Sequence, residues 1–296
     1  MLTILGLILL AGGMNQEDRP IRLGTTLVNT FLTVSNKQGE FVSHLDASDF
    51  IIQDNGVRQR ITEFNRETQL PLTLAMVFDR SRSVQEQITL QQTAATRFLT
   101  SILRKGQDQG LLIAFDSNIY LLQDFTDDPT ALTNKIHNLS VAGNSAVFDA
   151  VYKTARDRFT GVRQSRKVLI LITDGDDTAS EVTLDQAIDM ALRTDVIVYA
   201  IAIKGTKAGA SALTRLTQAT GGRVLFLNEE SSDLAGLFNQ LDQELRTQYS
   251  IGFQLNTPPD GRFHRLAIRT KKRGLTVRAR RGYYALPPAG PSKTNQ

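Results

Sequence analysis

Three short segments of this chain are apolar almost throughout: residues 71–78 (PLTLAMVF), 167–173 (KVLILIT) and 196–203 (VIVYAIAI). A strand with one face in water alternates polar and apolar side chains, whereas a strand covered on both faces does not. Each of these segments therefore needs a layer of helix on either side. The intervening sequence supplies the helices. Residues 84–103 place Val84, Ile88, Ala95, Phe98, Leu99, Ile102 and Leu103 at helical spacing, and residues 145–159, 182–192, 208–219 and 232–246 carry similar stripes. Gly221 and Gly222 close the fourth of these helices. Residues 110–115 and 119–122 read as a hairpin about Asp116-Ser117-Asn118, and residues 223–227 as a last short strand.

Strands alternating with helices predict an α/β domain over residues 70–246, with a Rossmann-like, doubly wound and mostly parallel sheet. On both sides of it the pattern changes to short alternating runs. Residues 21–66 place Leu27, Val28, Phe31, Leu32 and Val34 before a turn at residues 36–39, then Phe50, Ile51 and Ile52 before Asp54-Asn55-Gly56. Asn-Gly favours a type I′ hairpin, with Ile61 and Phe64 on the returning strand. Residues 249–255, 263–270 and 275–281 are again strand-like. The two flanks, residues 21–66 and 247–285, are each too small for a stable sheet, so they are expected to pair into one β-sandwich. Residues 286–296 form a tail rich in proline and polar residues, expected to be disordered.

The chain has 296 residues, 41% of them hydrophobic, enough for one large core and one smaller. It has no cysteine, which excludes disulfides, thiolate metal sites and cysteine nucleophiles. Residues 1–13 (MLTILGLILLAGG) resemble the hydrophobic and cleavage regions of a signal peptide, without a basic residue in front. Residues 1–20 are accordingly read as a signal peptide and linker, and the protein as exported to a periplasmic, cell-surface or secreted location.

Ligands of an open α/β sheet bind beyond the carboxyl ends of its strands. There the chain places Asp79-Arg80-Ser81-Arg82-Ser83, Gly143-Asn144-Ser145 and Asp174-Gly175. Asp79, Ser81, Ser83, Ser145 and Asp174 thus offer carboxylate and hydroxyl oxygens from three loops on one edge. Hard oxygen donors without imidazole or thiolate suit Mg²⁺, Mn²⁺ or Ca²⁺ over zinc. Taken singly, each motif has an ordinary reading: Asp79 or Ser145 as a helix cap, Asp174-Gly175 as a turn.

Asp-x-Ser-x-Ser after a buried strand, Gly-x-Ser-Ala before a helix and Thr-Asp-Gly after a later strand together resemble the metal-ion-dependent adhesion site of von Willebrand factor type A domains. The resemblance extends over about residues 70–245 and includes LTQATGGR at residues 216–223. Ser145 stands where the family usually has threonine. The flanks, with Asp54-Asn55-Gly56 and the terminal Arg280-Arg281-Gly282-Tyr283-Tyr284, resemble the borders of exported bacterial proteins built around such domains. The resemblance implies direct ligation of a cation by the hydroxyls, aspartates acting largely through water, and a protein partner that offers a carboxylate to the metal. It implies binding, not catalysis.

Two other classes stay open: a structural or assembly module stabilised by the cation, and a metal-assisted hydrolase. An aspartyl phosphatase also puts an aspartate after the first strand, but commonly needs a carboxylate two residues later, where this chain has Ser81. Neither a Walker loop nor a dinucleotide fingerprint is present, so no nucleotide is expected. Asp127, Asp128, Asp176 and Asp177 read as caps or solvated acids, and His44, His137 and His264 as surface residues. Nine Lys or Arg residues between Arg262 and Arg281 suggest strands with a basic outer face that could meet an anionic glycan, lipid headgroup or, less in keeping with export, nucleic acid.

Overall fold

The computed structural model describes residues 27–66, 70–162, 165–227, 233–255 and 257–287. The signal-peptide reading at residues 1–20 and nearly all of the tail lie outside them. The N-terminal flank forms β1 (Leu27–Ser35), β2 (Phe50–Asp54), β3 (Val57–Gln59) and β4 (Ile61–Asn65). Asn55 and Gly56 both have positive φ, as the turn between β2 and β3 requires. The returning strand is divided, contrary to expectation. β3 pairs back on β2 and stops after three residues, and the chain then crosses so that Ile61 and Phe64 lie in β4, paired with a strand from the far end of the chain.

The α/β body follows: β5 (Leu72–Asp79), α1 (Ile88–Ile102), β6 (Gln109–Phe115), β7 (Ile119–Thr126), α2 (Pro129–Ile136), α3 (Val147–Thr154), β8 (Arg166–Thr173), α4 (Leu184–Arg193), β9 (Ile197–Ala202), α5 (Lys207–Thr220), β10 (Val224–Phe226) and α6 (Leu234–Arg246). The central sheet has six strands in the order β10-β9-β8-β5-β6-β7, parallel except for β7. Alternation explains the apolar runs. On β5, Leu72, Leu74, Met76 and Phe78 pack with α1, α2 and α6, while Ala75 and Val77 pack with α3, α4 and α5 on the opposite face.

Helix α2 escapes a reading by periodicity because only Leu132 and Ile136 of its eight residues are buried. Its signal is local: Asp128 accepts a hydrogen bond from the Thr130 N–H at 2.9 Å, and Pro129 occupies the first turn. The helix expected over residues 145–159 is α3 followed by a π-helical turn at Ala155–Phe159, with Phe159 fully buried against the Phe125 ring.

The C-terminal strands are β11 (Tyr249–Gln254), β12 (Phe263–Thr270), β13 (Thr276–Ala279) and β14 (Gly282–Tyr284). They join the N-terminal flank in two antiparallel sheets, β13-β1-β11-β4 and β14-β12-β2-β3. Val28, Leu32, Phe50, Ile52, Tyr249 and Phe253 are among the side chains that fill the space between them. The fold is therefore a doubly wound α/β sheet beside a sandwich made by both ends of the chain. Polar ties hold the two together: Arg278 of β13 pairs with Glu244 of α6, Arg280 with Asp195, and Tyr284 bonds to Asp189 of α4.

Candidate metal centre

In the central sheet, β5 leads outward in one direction through β6 and β7, and β8 leads in the other through β9 and β10. The loops after β5 and β8 diverge and leave a crevice at this switch point. Phe78 is paired with Ile172, which sets Asp79 level with Thr173 and puts Asp174 one residue beyond.

Asp79 is fully buried and ties three loops together. Its Oδ1 accepts the Ser81 N–H at 2.8 Å, and its Oδ2 accepts the hydroxyls of Ser145 at 2.9 Å and Thr173 at 2.6 Å. Ser81 and Ser83 bring their Oγ atoms within 2.9 Å of each other. Asp174 is nearly buried, and its Oδ1 accepts the Asp176 N–H at 3.0 Å. Ser81 and Ser145 are buried and Ser83 is exposed, so the group opens to solvent on the Ser83 side. All five sequence-derived residues thus stand at one strand edge.

Burial raises the Asp79 carboxyl above its ordinary value, and Asp174 adds to this, while hydrogen bonds from Ser81 and Thr173 oppose it. Among the described residues no Lys, Arg or His forms an ion pair with Asp79 or Asp174. Arg80, next in sequence, turns away to Asp116, its Nε 3.4 Å from Oδ2, and lies over the Tyr120 ring.

The donor chemistry fits a hard cation. Ser145 gives its proton to Asp79, which leaves oxygen lone pairs on the hydroxyl for another ligand. No three His, Cys, Asp or Glu side chains gather as a metal group among the described residues; the set here has only two carboxylates and takes its other oxygens from serines. The ordinary reading of Ser145 as a cap is not what the helix uses, since Ala146 is the N-cap of α3 and makes no side-chain cap bond.

Two contributors were not singled out from the sequence. Thr173 reads in the sequence only as part of Thr-Asp-Gly, yet its hydroxyl accepts the Gly175 N–H and donates to Asp79. Asp116, read as a hairpin residue, is buried and packs against Gly143, where a Cβ would lie 3.0 Å from the Asp116 Cβ. Gly143 also has φ +70°, so both space and backbone demand glycine in the loop that carries Ser145.

A family model of the von Willebrand factor type A domain matches residues 73–240, more than half of the chain. The chain belongs to that family. A comparison with curated protein sequences finds no match. Among solved structures, a von Willebrand factor type A protein from Catenulispora acidiphila is similar over 86% of this chain and 73% of its own, at 13% identity and TM-score 0.54. Proximal thread matrix protein 1 from the mussel byssus is similar over 65% of this chain and 51% of its own, at 16% identity and TM-score 0.55. A further structure of that mussel protein, described as having a zinc-occupied MIDAS motif, matches at 17% identity and TM-score 0.52, over 60% of this chain and 48% of its own. This chain thus spans about half the length of the mussel protein. At these identities the likenesses show the fold.

Outside the type A site, the acids read as caps or solvated residues are accounted for locally. Asp128 caps α2, Asp127 accepts the Gly106 N–H, Asp176 bonds to Thr206, and Asp177 accepts from Ser180 and Phe148. His264 is not a surface residue. Its ring lies between Asp54, with Nδ1 at 3.0 Å, and Asp260, with Nε2 at 3.3 Å, and its side chain is only 13% exposed. The basic stretch is also not uniformly outward: Arg278 and Arg280 turn to Glu244 and Asp195, where the sandwich meets the body.

Proposed function

We propose that this protein is a non-enzymatic binding protein that holds one divalent cation through Asp79, Ser81, Ser83, Ser145 and Asp174, and uses it to engage a carboxylate on a protein partner. The observation that carries the reading is Asp79, fully buried beside Asp174 with only neutral hydrogen-bond donors around it. A buried carboxylate without a countercharge carries a desolvation cost that a bound cation relieves. Mg²⁺, Mn²⁺ or Ca²⁺ suits the oxygen donors. The zinc described in the mussel protein makes Zn²⁺ a fourth ion to test. When bound, the cation supplies a positive charge for an incoming carboxylate; Asp79 orients the Ser145 hydroxyl, and the exposed Ser83 marks the open side.

A binding role is favoured over hydrolysis by membership of the von Willebrand factor type A family. The apolar run at residues 1–13 supports export. No helix among the described residues is long and apolar enough to cross a membrane. A second reading, a structural module, is favoured by one feature: Asp79 already laces three loops together, so a cation there would stiffen them.

Calorimetric titration of the four ions into the full chain and into Asp79→Asn, followed by capture of partners on the immobilised protein in Mn²⁺ and in chelator, separates these readings. The proposal expects cation binding that Asp79→Asn abolishes, and a partner that chelator releases. Cation binding with no chelator-sensitive partner favours the structural module. Undiminished cation binding by Asp79→Asn overturns the site.

A further inference from the structure

Among the described residues the sandwich leaves two sheet edges open side by side. β3 ends the sheet β14-β12-β2-β3, and β4 ends the sheet β13-β1-β11-β4; Arg60 is the single residue between them. The hairpin register fixes what the β3 edge presents. Asp54 pairs with Val57 across the two-residue turn, so Val57 and Gln59 bond inward to β2, while the N–H and C=O of Arg58 point away from the sheet. These outward groups are what an added strand would pair with.

The same edge carries uncompensated charge. On the outer face Arg58 stands opposite Gln53, Gln53 opposite Ala267, and Ile51 opposite Arg269. Arg58, Arg60, Arg265, Arg269 and Lys271 are all exposed, and no ion pair involves any of them among the described residues. Lys271 donates to the Ser48 carbonyl at 2.6 Å. The neighbouring carboxylate, Asp49, is taken by Lys272 at 3.1 Å and by the Asp46 N–H. Between the two edges runs a shallow groove of about 530 Å³, with Phe50, Ile51 and Ile61 as its apolar floor and Arg58, Arg60 and Lys271 on its rim.

We propose that this groove is a docking site for an extended acidic segment of a protein partner, which adds as a strand along the Arg58–Arg60 edge and places its carboxylates against Arg58, Arg60 and Lys271. Main-chain pairing gives affinity in this mode, and charge gives register and specificity. The aromatic side chains on this face, Phe263 and Tyr284, pack on each other at 5.4 Å and against the α/β body at the opposite edge from β3, so none stands along the Arg58–Arg60 edge for a base to stack on, which disfavours single-stranded nucleic acid there. The hairpin tip beside this edge exposes one aliphatic side chain, Val57, and a single such tip among cationic neighbours is too little apolar area for insertion into a membrane. Edge strands are also guarded with cations against adventitious pairing, and a guarded edge is the outcome the test must be able to return.

The full-length protein, kept in chelator so that the cation site plays no part, is titrated with a ten-residue peptide of alternating Glu and Val. The matched probes are a Lys–Val peptide, the Glu–Val peptide N-methylated at alternate backbone positions, and heparin. Binding of the Glu–Val peptide is expected to weaken at least tenfold in Arg58→Gln/Arg60→Gln and on N-methylation, and to be unchanged in Asp79→Asn. Equal binding of the N-methylated peptide would overturn strand addition, and tighter binding of heparin than of the peptide would overturn the protein partner. No binding to any probe would leave the arginines as edge guards and end the proposal.

Discussion

Two carboxylates in this molecule are fully buried in contrasting company. Glu244 on α6 is met by two arginines, Arg223 at 2.7 Å and Arg278 from β13, and by the Tyr199 hydroxyl at 2.8 Å. Asp79 on β5 is met by one N–H and two hydroxyls, and has a second carboxylate beside it. Both carry the cost of removing charge from water. The protein supplies its own countercharge at Glu244, which joins the sandwich to the body. At Asp79 it supplies none among the described residues, and under the proposed function a bound cation takes that place. A buried acid is thus a structural joint or a site according to what surrounds it.

The strongest way to break this contrast is to remove each charge in turn in the presence of chelator. Glu244→Gln strands two arginines and is expected to cost about 3 kcal/mol in urea denaturation, at the low end for a broken buried pair because both arginines reach some solvent. Asp79→Asn relieves an uncompensated charge and should stay within about 1 kcal/mol of wild type. Equal losses would erase the distinction.

Saturating Mn²⁺ sharpens it from the other side. At a hundredfold excess over the dissociation constant, wild type and Glu244→Gln should each gain about 2.7 kcal/mol, and Asp79→Asn nothing. Next in size is Ser145, whose hydroxyl both bonds Asp79 and faces the site. Ser145→Ala should weaken cation affinity about tenfold, the ~1.4 kcal/mol scale of one charge-assisted hydrogen bond, while Ser145→Thr keeps it. Calorimetry on both variants checks this.

The smallest effect lies in the sandwich. Burial by itself would lower the His264 pKa, but Asp54 and Asp260 on either side outweigh it and hold the ring above its ordinary 6.5. The folded state therefore binds the proton more tightly than the unfolded one. Its stabilisation is complete below the unfolded pKa and is lost as pH rises through the folded value. Urea midpoints should fall as pH rises above the ordinary histidine value of about 6.5 in wild type, and His264→Gln should flatten that slope.

Much of this was legible in the sequence, for identifiable reasons. The runs ending at Asp79 and Asp174 could only be strands covered on both faces, and that fixed which loops share an edge. The hairpin at Asn55-Gly56 was equally legible, because backbone conformation there is a local matter. What was not legible depends on partners far away in the chain. Ile61 leaves its hairpin because β11 offers it a place in the other sheet. His264 is drawn inward by Asp54, 210 residues away. Thr173 looked like the end of a strand, and only the register with β5 gives its hydroxyl Asp79 as acceptor.

Asp79 has no countercharge among the described residues, and the proposed function assigns that role to a cation. Titration of Mn²⁺ into the full chain, followed by electron paramagnetic resonance of the free ion, measures this directly. One bound Mn²⁺ per chain in wild type and in Glu244→Gln, and none in Asp79→Asn, is the predicted result. Equal uptake by wild type and Asp79→Asn, or none by either, would contradict it.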